Sequence, residues 1–149
     1  MIKNTTLKTK IVDNTDDMDI CYKLREKVFV EEQNVPCEQE RDEEDNLSIH
    51  FLIFDHNTPI GTARVLPENK NAVVGRLCVL KEHRGKNAGM LLMKAIIEYC
   101  KKQNFEKIIL GSQEHAIGFY SKLGFEVCSE RYMDANITHC KMHLVYKLR

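Results

Sequence analysis

The sequence predicts one domain over residues 1–149, of the mixed α/β class (an α+β mixed sheet), with about seven strands and three or four helices. Two observations predict this class. Apolar side chains in residues 88–99 recur at the spacing of one helical face, and apolar runs at 72–80 and 107–111 lie on either side of that helix. A strand, a helix and a strand in this order form a right-handed βαβ unit with parallel strands.

The N-terminal part of the chain predicts an edge strand, a helix and an acidic segment. Residues 6–12 mix β-branched residues with lysines, as edge strands do. Apolar positions then follow one helical face from a cap at Asp16 or Asp17 to Val30. The acidic stretch 38–45 is predicted as a loop or short helical turn, whose carboxylates form either a solvated surface or a patch that selects cationic amines.

The middle of the chain predicts a hairpin followed by a central strand. Residues 50–55 and 60–66 are rich in strand-forming residues, and the turn residues of 56–59 separate them. The run 72–80 lacks polar–apolar alternation, so we expect both of its faces to be covered.

The C-terminal part predicts a short helix and two closing strands. Residues 114–123 have helical apolar spacing and are followed by Gly124 in the usual C-terminal position. Residues 125–131 and 137–148 are predicted as strands, the second with regular alternation.

Net charge and cysteine content limit the class of function. The 22 basic and 22 acidic side chains give a formal net charge of 0, so neither nucleic acid nor a membrane surface is an expected partner. Six cysteines without a C-x-x-C pair indicate reduced thiols, a cytoplasmic location and no metal site. No apolar run reaches the roughly 20 residues of a membrane span, and no secretory leader precedes the first charged residues.

The turn before the long helix has the composition of an anion site. It contains Arg84, Gly85, Lys86, Asn87 and Gly89, so a flexible backbone and two cationic side chains meet at a helix N-terminus. Backbone N–H groups there lack partners within the helix and lie at the positive end of the helix dipole. We therefore expect this turn to bind phosphate.

Three stretches of the sequence resemble the GNAT superfamily of N-acetyltransferases. Residues 75–89 (GRLCVLKEHRGKNAG) are similar to its acetyl-CoA motif, and residues 115–125 (HAIGFYSKLGF) to its A-x-x-F-Y-x-K-x-G-F helix. Residues 25–36 (REKVFVEEQNVP) are similar to a bacterial subgroup, the ElaA-like and YjcF-like proteins. Together with the order of elements, the resemblance covers nearly all of the chain.

The resemblance implies a GNAT-like acyl-CoA N-acyltransferase fold and an enzyme that moves an acetyl group from acetyl-CoA to an amine by direct attack in a ternary complex. Acetyl-CoA would be a co-substrate and no metal would take part. The acceptor would be a small-molecule or protein amine, and the protein a monomer or homodimer. Residues implied to hold the cofactor lie on the strand, the turn and the short helix: Leu77, Cys78, Val79, Arg84, Gly85, Lys86, Asn87, Ala88, Gly89 and Phe119.

Two positions depart from the family pattern. The inner glycine of the turn is Asn87 here, and because asparagine tolerates left-handed backbone we expect the turn to form. Many members carry a glutamate base near the position of Gly75, and glycine supplies no proton chemistry. The alternative function is therefore an acyl-CoA-binding sensor or partner module without turnover.

The resemblance also implies residues for proton transfer. Tyr120 matches the family tyrosine that donates a proton to the departing thiolate. Because a phenol (pKa about 10) is a weaker acid than a thiol (about 8.5), full transfer is uphill by roughly 2 kcal/mol, and we expect a hydrogen-bond donor. The base that receives the amine's proton is predicted to be Glu32, or a water relay through the acidic segment. The candidates considered are Glu32, Glu40, Asp42, His50 and His139.

Overall fold

The computed structural model describes residues 6–146 and contains one mixed sheet with helices on both faces. The strands are β1 (Leu7–Ile11), β2 (Ile49–Asp55), β3 (Thr58–Glu68), β4 (Asn71–Val79), β5 (Lys107–Gln113), β6 (Glu126–Val127), β7 (Tyr132–Asp134) and β8 (Ile137–Val145). The α-helices are α1 (Thr15–Arg25), α2 (Cys37–Glu40), α3 (Ala88–Lys102) and α4 (Ile117–Lys122). The strands follow the order β1-β2-β3-β4-β5-β8-β6, with β7 paired to β8.

The strand pairing confirms the predicted fold class. Strands β1 to β4 form an antiparallel meander, and β4 then pairs in parallel with β5 through the crossover helix α3. This is the βαβ unit that the apolar spacing predicts. β8 closes the sheet antiparallel to β5.

The two faces of the sheet carry different helices. Phe51 and Ile53 of β2 pack in the main core with the buried face of α3, whereas Leu52 packs with Cys21 and Leu24 of α1. Because alternate residues of a strand point to opposite faces, α3 and α1 cover opposite sides of the sheet. The separated ends of β4 and β5, described below, lie between these two layers.

The cap of helix α1 lies two to three residues before the predicted cap. Asn14 is the cap residue, and its side-chain oxygen accepts a hydrogen bond of 2.8 Å from the backbone N–H of Asp17. The prediction of a cap at Asp16 or Asp17 is wrong because both lie in the first turn, where a negative charge favours the helix N-terminus. The chain continues beyond α1 as a π-helical turn over Glu26–Glu32.

Eight strands occur among residues 6–146 instead of about seven, because the predicted strand 125–131 is interrupted. Only Glu126–Val127 pairs with β8, and the chain then returns as β7. The turn from β7 to β8 places Ala135 and Asn136 at φ values of 50° and 64°, as in a type I′ hairpin. Residues 147 and 148 of the predicted last strand lie outside the described residues.

All six cysteines are free thiols, as predicted. Within residues 6–146, none of the helices combines the length and apolar composition needed to cross a membrane. In the same residues no group of three or more His, Cys, Asp or Glu side chains is placed to hold a metal ion.

Candidate active site

β4 and β5 pair at their N-terminal ends and then separate. Their parallel pairing ends at Val74 with Leu110. Immediately afterwards the register of β4 against β3 shifts next to Gly75, and Arg76 adopts a φ of 54°. This is a β-bulge, which bends its strand and interrupts the ladder. The C-terminal halves of β4 and β5 are therefore not paired with each other.

A cavity of about 1390 Å³ lies at the separated strand ends. Every residue predicted to hold the cofactor lines this cavity except Lys86, and the two predicted catalytic residues, Tyr120 and Glu32, line it as well. Pockets for ordinary small ligands have volumes of about 300–1,000 Å³. The cavity is therefore large enough for a long ligand together with a second small molecule.

The turn of residues 84–89, which the sequence predicts to bind phosphate and which we call the phosphate turn, has the predicted backbone geometry. Gly85 and Asn87 have φ values of 85° and 67°, so asparagine occupies the left-handed region as expected. α3 begins at Ala88 and no side chain caps it, which leaves the N–H groups of its first turn available at the positive end of the helix. A Cβ on Gly89 would lie 3.4 Å from the ring of Phe119, so α4 packs closely against this turn.

The cationic side chains of the turn bind protein carboxylates. Arg84 donates from Nε to the carbonyl of Val79 at 3.0 Å, and its two terminal nitrogens contact Glu32 at 2.6 and 2.7 Å. Lys86 donates to Asp55 at 3.2 Å and lies outside the cavity lining. The cavity end of the turn is thus formed mainly by backbone.

Tyr120 is held in the cavity wall by aromatic neighbours. Its ring makes edge contacts with Phe119 and Phe125, at centroid distances of 5.0 and 5.9 Å. The hydroxyl makes no hydrogen bond among the described residues, yet it is not sealed from the cavity. Burial raises the pKa of Tyr120 well above its usual value, so the phenol keeps its proton and is suited to donate a hydrogen bond.

Residues 26–33, which we call the roof segment, span the cavity between its two strand walls. Glu32 contacts Arg84 in the turn before α3, and the adjacent Gln33 accepts a hydrogen bond of 2.7 Å from Gln113 at the end of β5. His115 contacts the Gln113 side-chain oxygen at 2.7 Å. The sequence gives no sign of Gln33 and Gln113, because their pairing depends on two segments 80 positions apart.

The ion pair changes the chemistry available to Glu32. Hydrogen bonding from Arg84 lowers the pKa of Glu32 below its usual value. A carboxylate with a lowered pKa is a weaker base, and both of its oxygens are occupied by the guanidinium. The role of Glu32 as the base therefore remains a prediction. Its contacts favour a role in holding Arg84 in place.

The acidic segment folds as short helical turns, which is one of its two predicted forms. Glu38, Asp42, Glu43 and Glu44 are exposed, but the other two carboxylates are not part of a solvated surface. Glu40 and Asp45 are buried against Arg25, which is 1% exposed. Arg64 contacts Asp42 at 2.6 Å and Asp45 at 2.9 Å. The prediction of a solvated or amine-selecting patch is wrong for the buried members, because arginines from α1, β3 and β4 lie beneath them.

Three of the other candidate bases are in contact with polar groups of the protein. Asp42 and Glu40 are ion-paired with arginines, and one oxygen of Glu40 accepts from both Arg25 (2.8 Å) and Arg76 (3.0 Å). His50 is buried, its Nε2 contacts the backbone oxygen of Asp45 at 2.8 Å, and it does not line the cavity. Burial lowers the pKa of His50.

His139 differs from these candidates. It lines the cavity, its Nδ1 lies 2.7 Å from the carbonyl oxygen of Ile137, and its ring stacks on Tyr132 with a centroid distance of 5.8 Å. Its Nε2 makes no hydrogen bond among the described residues. The sequence does not indicate that Tyr132 lies in the cavity, because it reaches the cavity through strand β7, which was not predicted.

Comparison with known proteins agrees with this geometry. A family profile described as an acetyltransferase (GNAT) domain matches residues 13–146. The chain belongs to the GNAT acetyltransferase family. A Bacillus subtilis (strain 168) relative, named as the uncharacterized N-acetyltransferase YjcF, is 37% identical to this GNAT protein over 137 residues, which are 91% of this chain and 98% of the relative.

Solved structures place this GNAT protein in the same subgroup and fold. The crystal structure of Escherichia coli ElaA superposes with a TM-score of 0.83 at 26% identity, covering 93% of this chain and 99% of ElaA. The chain is thus of the ElaA-like and YjcF-like subgroup. A Bacillus subtilis acetyltransferase whose structure is described as a complex with CoA shares the fold, with a TM-score of 0.73 at 18% identity over 95% of this chain and 99% of the other.

Proposed function

We propose that this GNAT acetyltransferase moves an acetyl group from acetyl-CoA to an amine, by direct attack within a ternary complex. The observation that carries the proposal is the separation of β4 from β5 beside an uncapped helix N-terminus. A CoA molecule has an anionic diphosphate suited to such a terminus and an extended amide-containing arm suited to unpaired strand edges.

The cofactor is proposed to lie with its diphosphate on the backbone of residues 84–89 and its arm along Leu77, Cys78 and Val79. These residues follow the bulge, where β4 no longer pairs with β5. A backbone N–H of Cys78 or Val79 would polarise the thioester carbonyl, and one such donor is typically worth about 3–4 kcal/mol of transition-state stabilisation. Lys86 is proposed only as a more distant positive charge, since it lies outside the cavity lining.

Direct attack fits the state of the nearest thiol. Burial raises the pKa of Cys78 to about 12, so this cysteine is held as an unreactive thiol and is a poor candidate for an acetyl-enzyme intermediate. The leaving thiolate of CoA would receive a hydrogen bond from Tyr120, which faces the same cavity. Glu32 can act as the base if Arg84 moves to the CoA diphosphate, because this move frees the Glu32 carboxylate.

The proposal is tested by incubating the protein with acetyl-CoA and a panel of amines that includes an alkylamine, an α-amino amide and a polyamine, while thiol release is followed. Amine-dependent release is expected. Glu32→Gln is the matched test of the base, because it keeps the shape and removes the charge. An unchanged rate at every pH would remove Glu32 from the catalytic residues.

A second candidate function is an acyl-CoA-binding sensor or partner module. Gly75 favours it, since glycine stands where many relatives have a base, although a Cβ there would find ordinary contact distances of 3.6 Å to Arg64. Cofactor binding without turnover across the amine panel would support this second function. Absence of acetyl-CoA binding in a calorimetric titration would contradict both functions.

A further inference from the structure

We propose that His139 is the general base that takes the proton from the acceptor amine, an inference that rests on the acetyltransferase function proposed above. The observation behind it is a histidine in the cavity wall with one ring nitrogen committed to the backbone and the other unpartnered. Of the other four candidate bases, Asp42 and His50 do not line the cavity, and Glu32 and Glu40 line it but are ion-paired with arginines.

The backbone contact fixes the tautomer of His139. A carbonyl oxygen can only accept a hydrogen bond, so the 2.7 Å contact between Nδ1 and the Ile137 oxygen requires the proton on Nδ1. In the neutral ring Nε2 then carries the lone pair. Nε2 has no hydrogen-bond partner among residues 6–146 and is not among their fully buried unpartnered atoms, so it is accessible from the cavity. This arrangement is what a base requires.

The strand register places His139 on the face of the sheet opposite α3. It pairs with Gln113, and the alternating neighbours Cys140 and Met142 are buried in the main core beside α3. His139 therefore lies on the opposite face, which is the face that α1 covers. The amine can approach from this face while the phosphate turn, at the start of α3, is taken by the cofactor.

Tyr132 links His139 to the gap between the strands. Its ring stacks on His139 with an interplanar angle of 22°. A Cβ built on Gly111 would lie 2.6 Å from the Tyr132 hydroxyl oxygen, so this hydroxyl rests directly over the β5 backbone. Gly111 follows Leu110, the last residue of β5 that pairs with β4. The stacked pair thus forms a continuous wall from β8 to the site where the thioester is expected.

Charged groups share this part of the site, since Lys141 lies on the same strand and face as His139 and Lys122 lines the cavity. Gln113 faces His139 from β5, while Tyr132 and Asp134 face it from β7. His115 lines the cavity too, but its Nε2 is taken by the Gln113 side chain. Asp134 is the carboxylate from the adjoining strand that lines the cavity, and it would favour a cationic acceptor at the entrance.

A cationic amine first loses one proton to solvent. The lone pair of the neutral amine then attacks the thioester carbonyl carbon, forming the N–C bond, and the proton that this nitrogen releases passes to Nε2 of His139. Collapse of the tetrahedral intermediate breaks the C–S bond, and CoA leaves as a thiolate that accepts a hydrogen bond from Tyr120 and is protonated by solvent. His139 then returns its proton to solvent, which restores the neutral ring.

The test compares His139→Asn with His143→Asn, using acetyl-CoA and the most active amine of the panel. Asparagine can still donate to the Ile137 carbonyl but has no atom in place of the Nε2 lone pair. His143 lies on the same strand and face and does not line the cavity, so it is the matched control. We expect His139→Asn to lower kcat by about 100-fold or more, because general bases contribute about 10²–10⁴-fold.

Three further readouts separate a base from a structural residue. Acetyl-CoA affinity should be unchanged, the acidic limb of the kcat/KM profile should disappear, and added imidazole should restore part of the rate. A second variant, His139→Gln, guards against misfolding of the first. Unchanged kcat, or a reduced kcat with an unaltered pH profile and no rescue, would overturn the proposal. If the unmodified protein releases no thiol with any amine, the acetyltransferase function itself fails.

Discussion

Replacement of Arg25 by methionine tests whether the buried ion pairs hold the acidic segment in place. Arg25 is 1% exposed and makes four hydrogen bonds of 2.8 to 3.1 Å to Glu40 and Asp45. Removing one partner of a buried pair typically costs about 3–5 kcal/mol, because the remaining charge stays buried without compensation. Both carboxylates keep a second arginine, so we expect the lower end, about 3 kcal/mol.

The measurement is urea unfolding together with a thermal melt. For a chain of this length about 3 kcal/mol corresponds to a fall in Tm of roughly 6–12 °C. Arg25→Lys is the matched control, since lysine keeps the charge but loses the planar fork that contacts both carboxylates. We expect Arg25→Lys to lose roughly 1–2 kcal/mol.

Two results would refute this reasoning. A loss below about 1 kcal/mol for Arg25→Met would mean that burial of the carboxylates is not costly once the guanidinium is gone. Equal losses for the methionine and lysine variants would mean that the positive charge at this position contributes nothing. Either result would leave the position of the acidic segment to be explained by apolar packing alone.

Three further predictions concern pH, the phosphate turn and the cavity wall. Although burial opposes its ionisation, hydrogen bonds from Arg25 and Arg64 lower the pKa of Asp45 from 3.8 to about 2. The ionised Asp45 side chain therefore contributes about 2 kcal/mol to the free energy of unfolding above pH 4, and this contribution is lost as pH falls towards 2. When unfolding is measured at successively lower pH, the free energies of unfolding of the wild type and Asp45→Asn should converge. Asn87→Gly should leave the acetyl-CoA dissociation constant unchanged. Asn87→Ala places alanine in left-handed backbone and should lower the free energy of unfolding in denaturant by about 1 kcal/mol. Equal stability of the two variants would contradict a strained turn. Gly111→Ala should displace the Tyr132 hydroxyl and lower turnover without changing acetyl-CoA affinity by titration, and unaltered turnover would show that this hydroxyl is not needed in place.

The βαβ unit and the phosphate turn could be predicted because their signals are local. The spacing of Leu92 and Ile96 fixes one buried face of α3 wherever the helix packs. Asn87 lies among the few residue types that adopt left-handed backbone, and the structure places it there. These features depend on residues within one or two turns of each other.

The acidic segment and β7 could not be predicted, because their causes are distant or unusual. The partners that bury Asp45 come from α1 and from Arg64 of β3, and nothing within the segment indicates them. The hairpin into β8 has Ala135 at a positive φ, a conformation that alanine rarely adopts, so the turn has no sequence signature. The candidate bases could not be narrowed from the sequence for the same reason, because only the structure shows which of their polar atoms already have partners.

The two contacts of the roof segment have a mechanical consequence. The side chains of Glu32 and Gln33 hold its end through polar contacts with Arg84 and Gln113, while Val28 near its start is buried. Polar contacts that water can replace are exchanged at little cost, whereas buried apolar contacts are not. The polar contacts at the end of the roof segment are therefore easier to exchange for water or ligand than the buried contacts at its start.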